Sequence, residues 1–359
     1  MTNFLGNSNI IIILIILIVS LFVLSKSADI LVDNAVKLSK IWGLPEIIIG
    51  ATIVSVGTTL PELSASVTSA LQGNGSFALG NAVGSIITNT SLIIGIGALY
   101  GKIPVDRKSS QKLSILILAV FLLILPTMPY KINGNAGLIP QWMGFVFLIL
   151  IPVYLFFLVN QENKEGKKKR KSKFIYEKVN EKADELVNEK VNEIIKEKVQ
   201  EKMKSNITII ILQLFFAALI IALSASSLVA SAQVLAVRIG IPDVIIASTL
   251  VAFGTSVPEL STCISAAKRK HGGLAIGNIM GANVLNIIMV VGTAAALTPG
   301  GIEVSQEFYS INFIALGIIV AVFGYFAYNS KFDEISKKEG IFLISIYLLY
   351  LGANIVSAF

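Results

Sequence analysis

Two glutamates of this chain stand where a carboxylate is costly. Glu62 lies in VSVGTTLPELSAS at 54–66 and Glu259 in VAFGTSVPELSTC at 251–263, both within strongly apolar stretches. Each follows a proline, Pro61 or Pro258, and each stands four residues after a threonine, Thr58 or Thr255. Residues four apart on a helix share a face, so hydroxyl and carboxylate point the same way. A proline within a helix cannot donate to the carbonyl one turn back, and its ring pushes that turn open. Backbone oxygens from Ser55 to Thr58, and around Ala252 in the second stretch, are therefore expected to be released. Carboxylate, hydroxyl and backbone oxygen together form the ligand set of a hard cation such as Ca2+ or Na+, whereas zinc prefers nitrogen and sulfur. Two such acids left alone in a low dielectric repel, and one takes a proton; a divalent cation cancels both charges.

Further neutral oxygens follow in GNAVGSIITN at 80–89 and GNIMGANVLN at 277–286. Ser85 and Asn89 are four apart and share a face; the second pair is Ala282 and Asn286. Asn89 and Asn286 are read as ligands, Asn81 and Asn278 as capping or packing residues. Gly80, Gly84, Gly277 and Gly281 make small-xxx-small patterns that let helices approach closely, and whether they do more than pack is open at this point.

The elements that carry these residues are membrane helices. The chain has 359 residues, 54% of them hydrophobic, and a mean hydropathy of +0.78, well above a soluble domain. Apolar runs long enough to cross a bilayer recur, and they are continuous, which speaks against a β-barrel. The first, at 10–24, is expected to be a span and not a cleaved leader. Spans are expected at 8–40, 44–71, 76–100, 112–127 and 138–160, then at 206–238, 242–267, 273–297, 308–328 and 340–357. Shifting the chain by 197 positions aligns 43–95 with 240–292 without a gap, identical at 20 of 53 pairs. Pro, Glu and Asn are too costly at membrane depth to recur by chance at one offset, so the chain is a duplicated unit. Five spans per copy is an odd number, so the second copy enters from the opposite side. The expected fold is all-α and polytopic: ten transmembrane helices as two inverted five-helix repeats, 1–160 and 206–359, joined by a charged loop at 161–205. Inverted repeats with broken helices at the midplane are a transporter architecture.

Loop charges agree with that count. Lys and Arg concentrate at 26–40, 102–112, the central loop, 268–271 and 331–338, while the alternate loops hold few. The positive set marks the cytoplasmic side, which puts both termini outside a cell membrane. The net charge of +7 thus reflects sidedness rather than nucleic-acid binding. From Glu177 the central loop repeats Glu and Lys at helical neighbour spacing, and its apolar positions recur every four residues, a stripe that drifts around a helix. It reads as a solvated cytoplasmic helix whose protein partner, if any, the sequence does not name. The single cysteine, Cys263, permits no intrachain disulfide, and the single histidine, His271, offers neither a metal cluster nor a catalytic relay. An enzyme is not expected.

GTTLPELSAS with ALGNAVGSIITN, and GTSVPELSTC with AIGNIMGANVLN, resemble the two alpha repeats of the cation/calcium exchanger superfamily, closest to sodium/calcium exchangers. The resemblance is strong over about 40–100 and 237–297 and extends to the rest only in layout. It implies alternating access, with a Na+ gradient driving Ca2+ across the membrane, and no organic cofactor. It also implies that Thr58, Thr59, Glu62, Ser85, Asn89, Thr255, Ser256, Glu259 and Asn286, with the carbonyls of Ser55 and Ala252, bind the ions. The chain departs from the pattern at Ala282, where a second serine is usual, and at Asn286, where potassium-dependent members carry aspartate. A proton/calcium antiporter of the same fold and a cation channel are the alternative readings of the same acids.

Overall fold

The computed structural model describes residues 5, 8–105, 107–128, 137–158, 160, 189–238, 252–306, 308–329 and 333–357. Most of the central loop, 161–188, and the first part of the span expected at 242–267 lie outside the described residues. The chain is helical. Its elements are α1 (Ile10–Trp42), α2 (Glu46–Thr58), α3 (Leu60–Leu71), α4 (Gly75–Tyr100), α5 (Arg107–Ile124), α6 (Gln141–Leu158), α7 (Glu189–Arg238), α8 (Val257–Lys268), α9 (Gly272–Leu297), α10 (Phe308–Asn329) and α11 (Lys337–Ser357). Among the described residues seven helices are long and apolar enough to cross a membrane, or eight if α2 and α3 count as one bent span. Leu113–Thr127 is a shorter apolar stretch.

α4 and α9 form the centre. Their most apolar windows are 83% and 94% buried, against 17% to 39% for the other single-helix spans. At 26 residues each they are about 39 Å long, enough to cross the hydrocarbon layer. The N-terminus of α4 meets Thr298 and Ile302, beyond the end of α9. The N-terminus of α9 meets Lys102, beyond the end of α4. The two central helices therefore run antiparallel.

Short strands lock the halves together at opposite ends. β1 (Ile103–Pro104) pairs with β4 (Glu334–Ile335), and β2 (Gly137–Ile139) with β3 (Ile302–Val304), both antiparallel. The charged loops sort with them. At the β1–β4 end Lys102 pairs with Glu334 at 3.0 Å, His271 with Glu46 at 2.9 Å, and Arg269 with both Asp29 and Asp33 at 3.2 and 2.5 Å. At the other end Ser76 donates to the Glu303 carbonyl, and Arg238 to that of Ser8.

Glycine lets α2 lie directly against α9. A Cβ on Gly50 would stand 2.5 Å from the Leu274 carbonyl oxygen and 2.8 Å from the Asn278 amide, and one on Gly281 would stand 2.6 Å from the Ala51 Cα. Both contacts are with backbone, so neither can give way. α1 and α7 pack along each other outside this centre, and α1 also touches α8. α7 begins at Glu189, so the segment from 189 to 205 is one helix with the span that follows it.

Candidate ion-binding site

The proline of each signature does not interrupt a helix; it begins one. The bend of 42° between α2 and α3 falls at Thr59, and Pro61 sits in the first turn of α3. There its missing N–H is no loss, since that donor has no intrahelical acceptor anyway. Pro258 does the same in α8. The residues before them, Thr59 (φ −82°, ψ −3°) and Ser256 (φ −87°, ψ 5°), share one conformation between helix and turn. Glu62 and Glu259 thus occupy the first turns of α3 and α8, where the unbonded N–H groups and the helix dipole favour negative charge.

Both glutamates are fully buried, and no cationic side chain faces either carboxylate among the described residues; neither makes a well-formed hydrogen bond, the Thr58 hydroxyl lying only loosely within reach of Glu259. Asn81 joins the two stretches: it accepts from Thr255, one turn before Glu259, and donates to the Glu62 carbonyl. Thr59 and Ser256 are also fully buried, and their hydroxyl oxygens are unpartnered among the described residues. Among the described residues no three His, Cys, Asp or Glu side chains converge. The site is therefore two carboxylates among neutral oxygens.

The threonines are tied across the two copies. Thr58 donates to Asn278 Oδ1 at 3.1 Å, and Thr255 to Asn81 Oδ1 at 3.1 Å. A hydroxyl has one proton and two lone pairs. Once the proton goes to the asparagine, the lone pairs are left for a cation. Asn81 also donates to the Glu62 carbonyl at 3.3 Å and to Ser66 at 3.0 Å. Asn81 and Asn278 therefore hold the site's hydroxyls as well as packing. Their shared 197 offset was the signal for that pairing, though not for its crossing between copies.

Ser85 approaches Thr255 at 3.5 Å and is fully buried. Ala282 offers no counterpart. Asn89 and Asn286 are fully buried, and each opens a π-helical segment, Asn89–Ile93 and Asn286–Val291. Wide turns of this kind are frequent at functional sites. Asn89 Oδ1 and both amide atoms of Asn286 are unpartnered among the described residues. Ser55 differs from expectation: its carbonyl accepts the Thr59 amide at 2.9 Å, with the Thr58 hydroxyl at 3.4 Å. That oxygen is engaged because α2 stays helical up to Thr58. Ala252 lies in a short turn of helix before Gly254. A cleft of about 590 Å³ between α3 and α7, walled by Ser64, Thr68, Gln72 and Ser226, ends at Thr255.

Sequence reasoning did not single out Asn283, Ser66 or Thr90, all fully buried. None of the three repeats at the 197 offset, so no pattern marked them.

A family model described as "Sodium/calcium exchanger protein" matches residues 12–160 and 209–356. The sodium/calcium exchanger MaX1 of Methanosarcina acetivorans is 32% identical over 352 residues, covering 94% of this chain and 97% of that protein. The inner membrane protein YrbG of Escherichia coli is 28% identical over 337 residues, covering 94% and 95%. A solved structure of the sodium-calcium exchanger NCX_Mj, soaked with 10 mM Na+ and zero Ca2+, superposes with a TM-score of 0.74 at 24% identity, covering 96% of this chain and 99% of that one.

Proposed function

The chain belongs to the sodium/calcium exchanger family, and from that premise we propose that it exchanges Na+ for Ca2+ across the membrane by alternating access. One observation carries the reading: two buried carboxylates, in equivalent first turns, without a cationic partner among the described residues. Keeping an ionised carboxylate dry and unpaired costs several kcal/mol. A cation between them removes that cost. Ca2+ suits two carboxylates plus hydroxyl and amide oxygens, because it accepts six to eight oxygens in a flexible shell. Na+ ions share the same oxygens over separate subsites, so occupancy by the two species is mutually exclusive. That exclusion is what makes an exchanger rather than a leak.

Each ligand has its place in this scheme. Glu62 and Glu259 supply the charge. Thr58, Thr255, Thr59, Ser256 and Ser85 supply hydroxyls, Asn89 and Asn286 amide oxygens, and Ser55 and Ala252 carbonyls. The Ser55 carbonyl keeps the Thr59 amide and offers a cation only its second lone pair, once Thr58 gives its proton to Asn278. With Asn286 neutral, the site lacks a third carboxylate, and K+ is not carried.

The moving part is the pair α1 and α7. These long helices slide across the remaining, more tightly packed helices and open the site to one side at a time, as ten spans in two inverted repeats. The ion pairs of Arg269 with Asp29 and Asp33 tie α1 to the end of α8 at one face. The cleft ending at Thr255 is the way in from the other. The Arg269 face is cytoplasmic by its loop charges, and the segment 161–205 is a cytoplasmic linker with both termini outside.

The test is 45Ca uptake into proteoliposomes loaded with Na+, at clamped pH. Uptake that follows the Na+ gradient and is absent without it is the expected result. Uptake that ignores Na+ and follows a proton gradient instead overturns Na+ coupling and makes the protein a proton/calcium antiporter. Flux without any counter-ion requirement would be a channel's.

A further inference from the structure

The two copies of the site differ in how their asparagine is held. In the first copy Asn89 Nδ2 donates to Asn283 Oδ1 at 3.0 Å, and Asn283 Nδ2 donates to Thr90 Oγ1 at 2.7 Å. All three side chains are fully buried. Asn283 stands on α9, one turn before Asn286, so this chain of bonds crosses from one copy to the other. In the second copy the 197 offset replaces Asn283 by Ile86 and Thr90 by Ile287. Neither side chain can hydrogen-bond, and both amide atoms of Asn286 are unpartnered among the described residues.

An asparagine amide has one accepting end and one donating end. Which end faces a cation decides whether the contact attracts or repels. Asn283 Oδ1 can only accept, so it must meet Asn89 through Nδ2. That leaves Asn89 Oδ1 as the free end. Turning Asn89 over would set two oxygens against each other, unless Asn283 turned as well. Thr90 can accept from Asn283 or donate to it, so the two amides can turn together; the two arrangements differ in which end of Asn89 faces the site, and a cation selects the one that offers Oδ1. We infer that Asn283, backed by Thr90, is a positioning residue that holds the Asn89 amide in place with its carbonyl oxygen turned to a cation, in one copy only. The inference rests on the reading of Asn89 as an ion ligand. Asn286 has no such hydrogen bond among the described residues, so the site has one held amide and one unheld. An amide already held in place spares the ion part of the cost of ordering it.

The test is a double-mutant cycle on the purified full-length protein, reading Ca2+ affinity from the Ca2+ dependence of thermal unfolding. Asn283→Leu is expected to weaken Ca2+ roughly tenfold when Asn89 is present, the scale of an unsatisfied buried polar group. In an Asn89→Ala background the same change is expected to shift Ca2+ affinity less than twofold, since its target is gone. Equal losses in both backgrounds, or no loss in either, overturn the inference, because a merely structural residue acts regardless of Asn89. Should Asn283→Leu fail to fold, Thr90→Val, which keeps the shape and removes the acceptor, completes the same cycle and is read in the same way. Glu62→Gln separates the two levels. Wild-type Ca2+ binding in that variant overturns the ion-site reading itself. Lost binding there with a failed cycle overturns only the role of Asn283.

Discussion

Thr58 spends its single hydroxyl proton on Asn278, and Thr255 spends its own on Asn81. Those bonds aim oxygen lone pairs while leaving them free. Thr58→Val is therefore expected to weaken Ca2+ about tenfold, through loss of a ligand and an Asn278 left without a donor. A 45Ca binding isotherm checks it. Glu62→Gln and Glu259→Gln are expected to abolish Ca2+ uptake, each leaving one carboxylate for a divalent ion. Normal exchange in either variant contradicts the assignment of the site. At this scale the burial of both acids was legible, because a Pro-Glu pair recurs at one offset within two apolar runs. Asn283 and Thr90 were not. They share neither the offset of the duplication nor a helical face with an acid, and only the antiparallel packing of α4 on α9 joins them.

At the scale of elements, close backbone contact holds the site's framework. Gly50→Ala places a methyl 2.5 Å from the Leu274 carbonyl oxygen. Overpacking against backbone costs about 1–3 kcal/mol, occasionally more, so a lower unfolding temperature in detergent is expected, with Ca2+ affinity falling alongside as Asn278 is displaced. Gly43, with φ +64° at the end of α1, is a different case: a side chain there meets open space but strains the left-handed turn. The ion pairs of Arg269 belong to the same scale. Partly exposed pairs are worth up to about 1 kcal/mol. If α1 must leave α8 in each cycle, Arg269→Ala is expected to speed exchange by up to about fivefold, as read by initial 45Ca uptake rates; an unchanged or slower rate removes these pairs from the gate. The break near Pro61 and the outer limits of most spans could be read from the chain. The π-helical segments could not, since a wide turn depends on neighbours and not on local preference. The strands of two or three residues were equally invisible, being too short to show alternation.

The whole molecule is built from two similar stretches whose central helices run in opposite directions. Crossed strand pairs close it at either end. The duplication and the charge sorting of loops were visible in sequence because both are long-range regularities of composition. Among the expected ligands the sequence marked a difference between the copies at Ala282 against Ser85, and gave Asn283 and Thr90 no part in it. The larger difference, one held asparagine and one unheld, needed coordinates. A site with similar ligands from two opposed halves can face either side of the membrane at little cost, and that is the physical basis proposed for alternating access. In the proposed exchange, one Ca2+ held between Glu62 and Glu259 is displaced by monovalent competitors at the same oxygens. Equilibrium 45Ca binding to the purified protein during a Na+ titration tests it most directly. The expected result is saturable Ca2+ binding that Na+ displaces competitively and that vanishes when either glutamate becomes glutamine. Ca2+ binding indifferent to Na+, or surviving the loss of either carboxylate, would contradict it.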